Sequence, residues 1–115
     1  MAITEAYANS ASISTTEYSL PANSTSLATL TNAGIFQLLL DLNALTATEQ
    51  YRLKIYEKVQ SSGTKRVIQT VEFTGIQDEP IYVTPSLILI NGWDITMIKL
   101  FGTSRTIEWS IRKVA

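Results

Sequence analysis

Acidic side chains are the main candidates for chemistry in this 115-residue sequence, because it contains neither histidine nor cysteine. Without imidazole and thiol groups, a Ser-His-Asp triad, a cysteine nucleophile and an ordinary zinc site are excluded. Asp78 and Glu79 are adjacent in one predicted loop, and a glycosidase would need a second carboxylate, such as Asp94 or Glu72, on the other side of its substrate. Adjacent acids before a proline are ordinarily a solvated loop, so we expect no enzymatic activity.

Two short acidic stretches contain the oxygen ligands that calcium prefers, namely Asp41-Leu42-Asn43 and Asp78-Glu79. Neither follows the consensus of a calcium-binding loop. The glycines are spread over separate predicted turns and do not cluster into a phosphate-binding loop. The sequence therefore predicts neither a metal site nor a cofactor.

Aromatic side chains offer a third kind of site, a stacking platform for sugars. Trp109 lies in phase with Ile107 and Ile111, so we predict that it is part of the core. Tyr56 is out of phase with the apolar residues of its strand and is predicted to be exposed or at an interface. Trp93 follows a tight turn; its exposure would favour carbohydrate binding, and its burial would count against it. The candidate platform residues are Tyr51, Tyr56, Tyr82, Trp93 and Trp109.

The elements that position these groups are predicted to be strands, organised around the stretch from Gln50 to Gly75. Tyr51, Leu53 and Ile55 alternate with polar residues there, and a turn at 61–64 separates them from a second alternating run. Alternation with a period of two is typical of a half-buried antiparallel hairpin. Such a hairpin needs a second sheet to cover its apolar face.

Further strands are predicted along the rest of the chain. Residues 35–42 are interpreted as a central strand buried largely on both faces, although a helix over 35–50 is the alternative. Residues 46–49 are predicted to form a capped turn. Pro85 separates a strand at 81–84 from one at 86–90, and residues 93–101 and 106–114 are predicted to form a last hairpin. About eight strands predict an all-β, two-sheet antiparallel sandwich of jelly-roll or Greek-key type, as one domain covering residues 1–115.

The first 24 residues are rich in Ala, Ser, Thr and Asn and are predicted to form an extended N-terminal arm and a first edge strand near 11–18. Two interpretations remain open for the arm. It is either a frayed terminus or a segment that pairs with a neighbouring subunit, because extended segments of low charge add readily to sheet edges. The predicted partner-binding residues are Ile3, Tyr7, Ile13, Tyr56 and Trp93.

Charge and hydropathy exclude several partners. Nine basic and ten acidic residues give a net charge of -1, so we expect no nucleic-acid binding. The N-terminal residues lack the basic start and apolar run of a signal peptide, and no apolar stretch is long enough for a membrane span. We therefore expect synthesis in a cytoplasm and no membrane partner.

The sequence as a whole resembles the head decoration, or cement, proteins of tailed bacteriophages. The resemblance lies in the start ITEAYANSASISTTEYSLP, the strand end at Asp41-Leu42, the strand RLKIYEKV, the segment WDITMIKLFGTSRTIEWSIRKV and the basic pair Arg112-Lys113. It implies a non-enzymatic virion protein on the capsid surface, which binds the major capsid protein as a dimer or trimer. The alternatives are a phage tail or fibre module and a carbohydrate-binding β-sandwich.

Overall fold

The computed structural model describes residues 2–114. These residues contain nine β-strands, joined by turns and loops, and no helix. Met1 and Ala115 fall within the predicted arm and domain bounds but lie outside the described residues. The strands are β1 Ile3–Ile13, β2 Tyr18–Ser19, β3 Gly34–Asp41, β4 Gln50–Glu57, β5 Arg66–Thr74, β6 Ile81–Val83, β7 Leu87–Leu89, β8 Asp94–Phe101 and β9 Arg105–Val114.

The strands form two antiparallel sheets. The five-stranded sheet has the order β1-β9-β3-β6, with β7 also paired to β3, and the four-stranded sheet has the order β2-β8-β4-β5. β6 and β7 pair with opposite ends of the same side of β3, so they are two pieces of one edge strand interrupted at Pro85. Successive strands mostly alternate between the sheets, which is a jelly-roll arrangement. The predicted all-β sandwich is confirmed.

The core lies between the two sheets and is built from the inward phase of each strand. The central hairpin forms as predicted, with β4 and β5 paired from Gln50↔Thr74 to Glu57↔Arg66. Tyr51, Leu53 and Ile55 are fully buried. Each buried residue alternates with a more exposed one along β4, which is the expected result of covering one face of a pleated strand.

The predicted last hairpin is wrong. β8 pairs with β4 and β2 in the four-stranded sheet, whereas β9 lies between β1 and β3 in the other sheet. Gly102 begins the connection between them with a φ of 96°, a conformation that glycine adopts without steric strain. The alternation of Ile107, Trp109 and Ile111 correctly indicates one buried face, but it contains no information about which strand is the partner.

The first strand also differs from its predicted position. It runs from Ile3 to Ile13 and not over 11–18, and it is hydrogen-bonded along its length to β9, with a bulge between Glu5 and Tyr7. The predicted extended arm is therefore part of the chain's own five-stranded sheet. Residues 14–32 contain only the two-residue strand β2 and run along the edge of β8 that lies opposite β4.

Candidate functional site

The five predicted partner-binding residues do not form one surface. Ile3 is 74% exposed on β1, whereas Ile13 and Trp93 are fully buried in the core and cannot contact a partner from there. Tyr7 is half-buried; its ring lies edge-on to the Trp93 ring with the ring centres 6.0 Å apart, and its hydroxyl accepts a 2.8 Å hydrogen bond from Asn32 Nδ2. Of these residues, Ile3 is the most accessible to a partner, and its direct contact with one stays a prediction.

Tyr56 is half-buried and holds residues 14–32 against the four-stranded sheet. Its hydroxyl donates a 2.6 Å hydrogen bond to Glu17 Oε2, and Lys65 Nζ lies 5.4 Å from its ring centre. Burial, followed by the hydrogen bond to Glu17, raises the pKa of Tyr56. These contacts with its own chain indicate a structural role and leave little of the ring for a sugar or a protein partner.

The acidic residues considered as catalytic candidates are either bonded to groups of the same chain or exposed to solvent. The Asp94 carboxylate is fully buried and accepts hydrogen bonds from Ser19 Oγ at 2.7 Å, Ala28 N at 2.9 Å and Ile95 N at 2.8 Å. Burial raises its pKa, although these hydrogen bonds oppose the effect. Because groups of the same chain enclose Asp94, it cannot reach a bound substrate. It fastens residues 19–28 to β8.

A second buried carboxylate, Glu49, stabilises the predicted capped turn at 46–49. Thr46 N donates to Glu49 Oε1 at 2.7 Å, and Arg105 Nε donates to the same oxygen at 2.9 Å. The Arg105 guanidinium, with smaller contributions from Thr48 and Thr46, lowers the pKa of Glu49 to about 2. The capped turn is confirmed, and Glu49 ties it to the start of β9.

A further surface feature lies on the outer face of the five-stranded sheet. Strand register places four aliphatic side chains side by side across this face, because Ile3 and Ile35 both pair with Val114 and Ile35 also pairs with Ile88. At a strand separation of ~4.8 Å the four residues span about 14 Å. Ile3, Ile35 and Ile88 are 74%, 42% and 76% exposed. We call Ile3, Val114, Ile35 and Ile88 the aliphatic row.

A groove of about 640 Å³ that is lined by both polar and apolar residues lies on the same sheet. Its charged members are Glu5, Asp41, Glu108 and Arg112, which give it a formal charge of -2 (three carboxylates and one guanidinium). Asp41 and Glu108 are direct neighbours across β3 and β9. We call this feature the outer groove; it is lined by Glu5, Ala8, Asn9, Ser10, Leu39, Leu40, Asp41, Ile81, Glu108, Trp109, Ser110 and Arg112.

Internal hydrogen bonds order part of the outer groove. Ser110 Oγ donates a 2.6 Å hydrogen bond to Glu5 Oε2, which holds the glutamate against β9. The same hydroxyl accepts a hydrogen bond from Arg112 Nε at 3.4 Å. This end of the groove therefore presents a preorganised glutamate, hydroxyl and guanidinium.

The outer face of the five-stranded sheet was not predicted from the sequence. β3 was expected to be buried largely on both faces, but only its Phe36, Leu38 and Leu40 side is buried, and Ile35 is 42% exposed on the other side. A further signal was the apolar residue Ile88 at the outward phase of β7. Apolar residues at outward positions of several strands indicate a covered or binding face, but only the register shows that they form one row.

The aromatic platform suggested by the sequence is not present on the surface. Tyr51 and Trp93 are fully buried and Trp109 is 2% exposed, while Tyr82 packs edge-to-face against Phe73 with the ring centres 5.0 Å apart. Within residues 2–114, no group of three or more His, Cys, Asp or Glu side chains is arranged to hold a metal ion. The described part of the chain also contains no helix that is long and apolar enough to cross a membrane.

Comparisons with known proteins establish no family for this chain. No protein-family model and no curated protein matches the sequence. Among solved structures, it is similar to a xylan-binding domain from CBM 22, formally x6b domain, with a TM-score of 0.43, 16% identity, and coverage of 86% of this chain and 64% of that one. It is also similar to the C-terminal family 22 carbohydrate-binding module of Clostridium thermocellum Xyn10B, with a TM-score of 0.40, 16% identity, and 74% and 57% coverage.

A third similar structure is the Eiger TNF from S. frugiperda, with a TM-score of 0.44, 10% identity, and coverage of 97% of this chain and 88% of that one. The chain spans less than two thirds of the length of either carbohydrate-binding module. At these identities and TM-scores, the similarities indicate nothing about the function of this chain.

Proposed function

We propose that this protein is a non-enzymatic structural subunit that docks onto an assembled protein shell through the outer face of its five-stranded sheet. The major capsid protein of a phage head is the proposed partner, and the virion surface is the proposed location after synthesis in the host cytoplasm. The observation that carries the proposal is the aliphatic row. A phage tail or fibre surface would offer the same chemistry, and fractionation of particles distinguishes it from the head.

The aliphatic row is suited to contact with another protein because it is both exposed and continuous. Isolated surface isoleucines are common, but a contiguous apolar strip across four strands is typical of an interaction site. Complete burial of one isoleucine side chain contributes about 1.5–3 kcal/mol. Because Ile3 and Ile88 are each about three-quarters exposed, most of that contribution is still unrealised in the isolated chain.

The charged residues beside the aliphatic row indicate which charges the partner's surface should have. The outer groove has a formal charge of -2, so a complementary partner would place lysine or arginine side chains around an apolar centre. Charges at the rim of an interface act mainly on the association rate and its salt dependence. We therefore expect attachment to become slower as the ionic strength rises, while the contact of the aliphatic row persists.

The mechanism requires no chemistry beyond binding. A subunit that binds only the assembled shell stabilises that shell by mass action, by an amount that grows with the ratio of its concentration to its dissociation constant. The jelly-roll core supplies a rigid support on which the aliphatic row is held by backbone pairing between β1, β9, β3 and β7.

The test is sedimentation of the protein from its source lysate, in the native form and with one side chain changed. The native protein is expected to travel with particles of megadalton size. The variant Ile88→Ser should fold normally, since the side chain is 76% exposed, but should lose most of its particle association. Loss of about three-quarters of one isoleucine burial corresponds to roughly 1–2 kcal/mol, or about 5- to 30-fold in affinity.

Ile68→Ser is the matched control, because Ile68 is 51% exposed on β5 of the opposite sheet. It should sediment with particles as the native protein does. Native protein that remains at the top of the gradient would contradict the proposed role. Equal loss of particle association in the two variants would instead show that the outer face is not the contact.

Carbohydrate binding is a second candidate, and the specific observation that favours it is the outer groove. Carboxylate, amide, hydroxyl and guanidinium groups in one open groove can form hydrogen bonds with several sugar hydroxyls, and Leu39 and Ile81 add an apolar contact. Calorimetric titration with neutral oligosaccharides tests it. Saturable binding that is abolished by Glu108→Gln and unaffected by Ile88→Ser would favour this candidate; no heat of binding across the panel would reject it.

A further inference from the structure

We infer that the free edge of β1 pairs, antiparallel, with β1 of a second copy of this chain, so that two five-stranded sheets join into one continuous sheet. β1 is the longest strand of the described residues, with eleven residues, and β9 covers only one of its two edges. An edge strand exposes a row of backbone donors and acceptors that another strand can complete. This inference is independent of the docking proposal.

The composition of β1 lacks the usual protection against edge pairing. Natural edge strands are commonly blocked by proline, lysine, short length or inward charges. The segment ITEAYANSASI contains neither proline nor lysine. Its single charged residue, Glu5, is held toward β9 by a hydrogen bond from Ser110. Most of its side chains are small, so a second strand can approach without displacing bulky groups.

The other sheet edges are less suited to pairing. β2 has only two residues, and the edge formed by β6 and β7 is interrupted at Pro85, which cannot donate to a ladder. The β5 edge has nine residues but carries Arg66 and Glu72, the latter in an ion pair with Arg52. Among the four edges, β1 therefore combines the greatest length with the lowest charge.

Backbone hydrogen bonding indicates which groups of β1 face the open side. The amide of Ser10 donates to the adjacent side chain, Asn9 Oδ1, at 2.9 Å, as expected for an amide that the ladder to β9 does not use. Because the direction alternates along a strand, the amides and carbonyls of Ala8 and Ser12 face the same side. On pairing, a carbonyl of the second copy replaces the Asn9 side chain as the acceptor.

A two-fold axis at Ser10 matches these groups without conflict. The bulge between Glu5 and Tyr7 leaves 7–13 as the uninterrupted part of the strand, and Ser10 is its centre. Ser10 then faces Ser10 of the partner subunit, and Ala8 faces Ser12 of the partner subunit. The side chains nearest the axis, from Ala8 to Ser12, are small or polar and uncharged, and Glu5 lies outside the paired stretch. Such self-complementarity about a two-fold axis is the geometry of an isologous dimer and favours a second copy over an unrelated strand.

The test is the molar mass of the full-length protein by analytical ultracentrifugation, from low micromolar to near-millimolar concentration. A monomer–dimer equilibrium is expected. Ala8→Pro removes an outward amide while retaining the ladder to β9, and should give monomer at every concentration; Ala8→Ser keeps the amide and should dimerise as the native chain does. A native chain that is monomeric throughout, or an Ala8→Pro variant that dimerises normally, would overturn the inference.

Hydrogen exchange of the native protein keeps the inference testable if Ala8→Pro does not fold. The amides of Ala8, Ser10 and Ser12 should exchange rapidly in dilute solution and become protected as the concentration rises. The β5 edge supplies an internal reference, since its exchange should not depend on concentration. Unchanged exchange at Ala8, Ser10 and Ser12 over the whole concentration range would overturn the inference.

Discussion

The two tryptophans of this chain are both buried, but they differ in whether the indole N–H has a partner. Trp93 Nε1 donates a 2.9 Å hydrogen bond to the carbonyl of Asn32. Trp109 Nε1 is buried and has no hydrogen-bond partner. Replacing each by phenylalanine removes the same atoms from the core, so the two substitutions separate the energetic effect of the hydrogen bond from that of packing.

The expected magnitudes follow from these contacts. In either variant the space of the second indole ring is left partly empty, which costs about 1 kcal/mol at ~24 cal/mol per Å³ of cavity. Trp93→Phe also leaves the half-buried Asn32 carbonyl without its donor, at about 1–3 kcal/mol. Trp109→Phe removes an unpaired buried donor instead, which offsets the cavity by a similar amount. We expect Trp93→Phe to be at least about 2 kcal/mol more destabilising than Trp109→Phe.

The assay is equilibrium unfolding in urea, followed by circular dichroism because each variant loses one fluorophore. The midpoint should fall clearly for Trp93→Phe and change little for Trp109→Phe, with equal slopes against urea concentration. Equal destabilisation would show that packing alone determines both effects, and a larger effect at Trp109 would refute the reasoning outright.

Two further predictions concern the junction between the capped turn and β9. Gly102→Ala should destabilise the protein by about 1–3 kcal/mol through backbone strain at a φ of +96°, and by more in total because a Cβ would lie 2.5 Å from the carbonyl oxygen of Thr48. Gly63→Ala, at a turn without positive φ, is the control, and equal thermal melting temperatures would contradict the prediction. The lowered pKa of Glu49 means that its ion pair with Arg105 stabilises the fold fully above pH 4.5 and loses this effect as the pH falls toward about 2. The difference in unfolding free energy between the native protein and Glu49→Gln should therefore narrow over that pH range, and a difference that stays constant would show that the charge of Glu49 is not responsible.

The fold class and most strands could be predicted because apolar and polar residues alternate visibly along the sequence of each strand. In β4 the buried residues Tyr51, Leu53 and Ile55 are two positions apart, and no neighbouring strand has to be known to read this pattern. The predicted pairing of β8 with β9 was wrong because strands that are adjacent along the chain usually form a hairpin. In this fold the connection from β8 to β9 crosses between the two sheets.

The candidate site could not be predicted for a related reason. Ile3, Ile35 and Ile88 become neighbours only through the pairing of β1, β9, β3 and β7, and each of those pairings joins distant parts of the chain. The burial of Trp93 was also open, since a tryptophan after a tight turn has no alternating neighbours on one side to give its phase. The position of the aliphatic row and the burial of Trp93 both depend on tertiary strand pairing.

Pairing of the first strand with the last has a consequence for how the chain matures during translation. Ile3 pairs with Val114, and β9 also supplies the central position between β1 and β3. Until β9 leaves the ribosome, β1 and β3 have no shared neighbour and the five-stranded sheet cannot close. Closure of such a long loop is entropically unfavourable and makes folding slow. Newly made chains therefore pass through an interval in which the apolar face of β3 is open to other nascent copies. Chaperone binding during that interval would favour correct closure over aggregation.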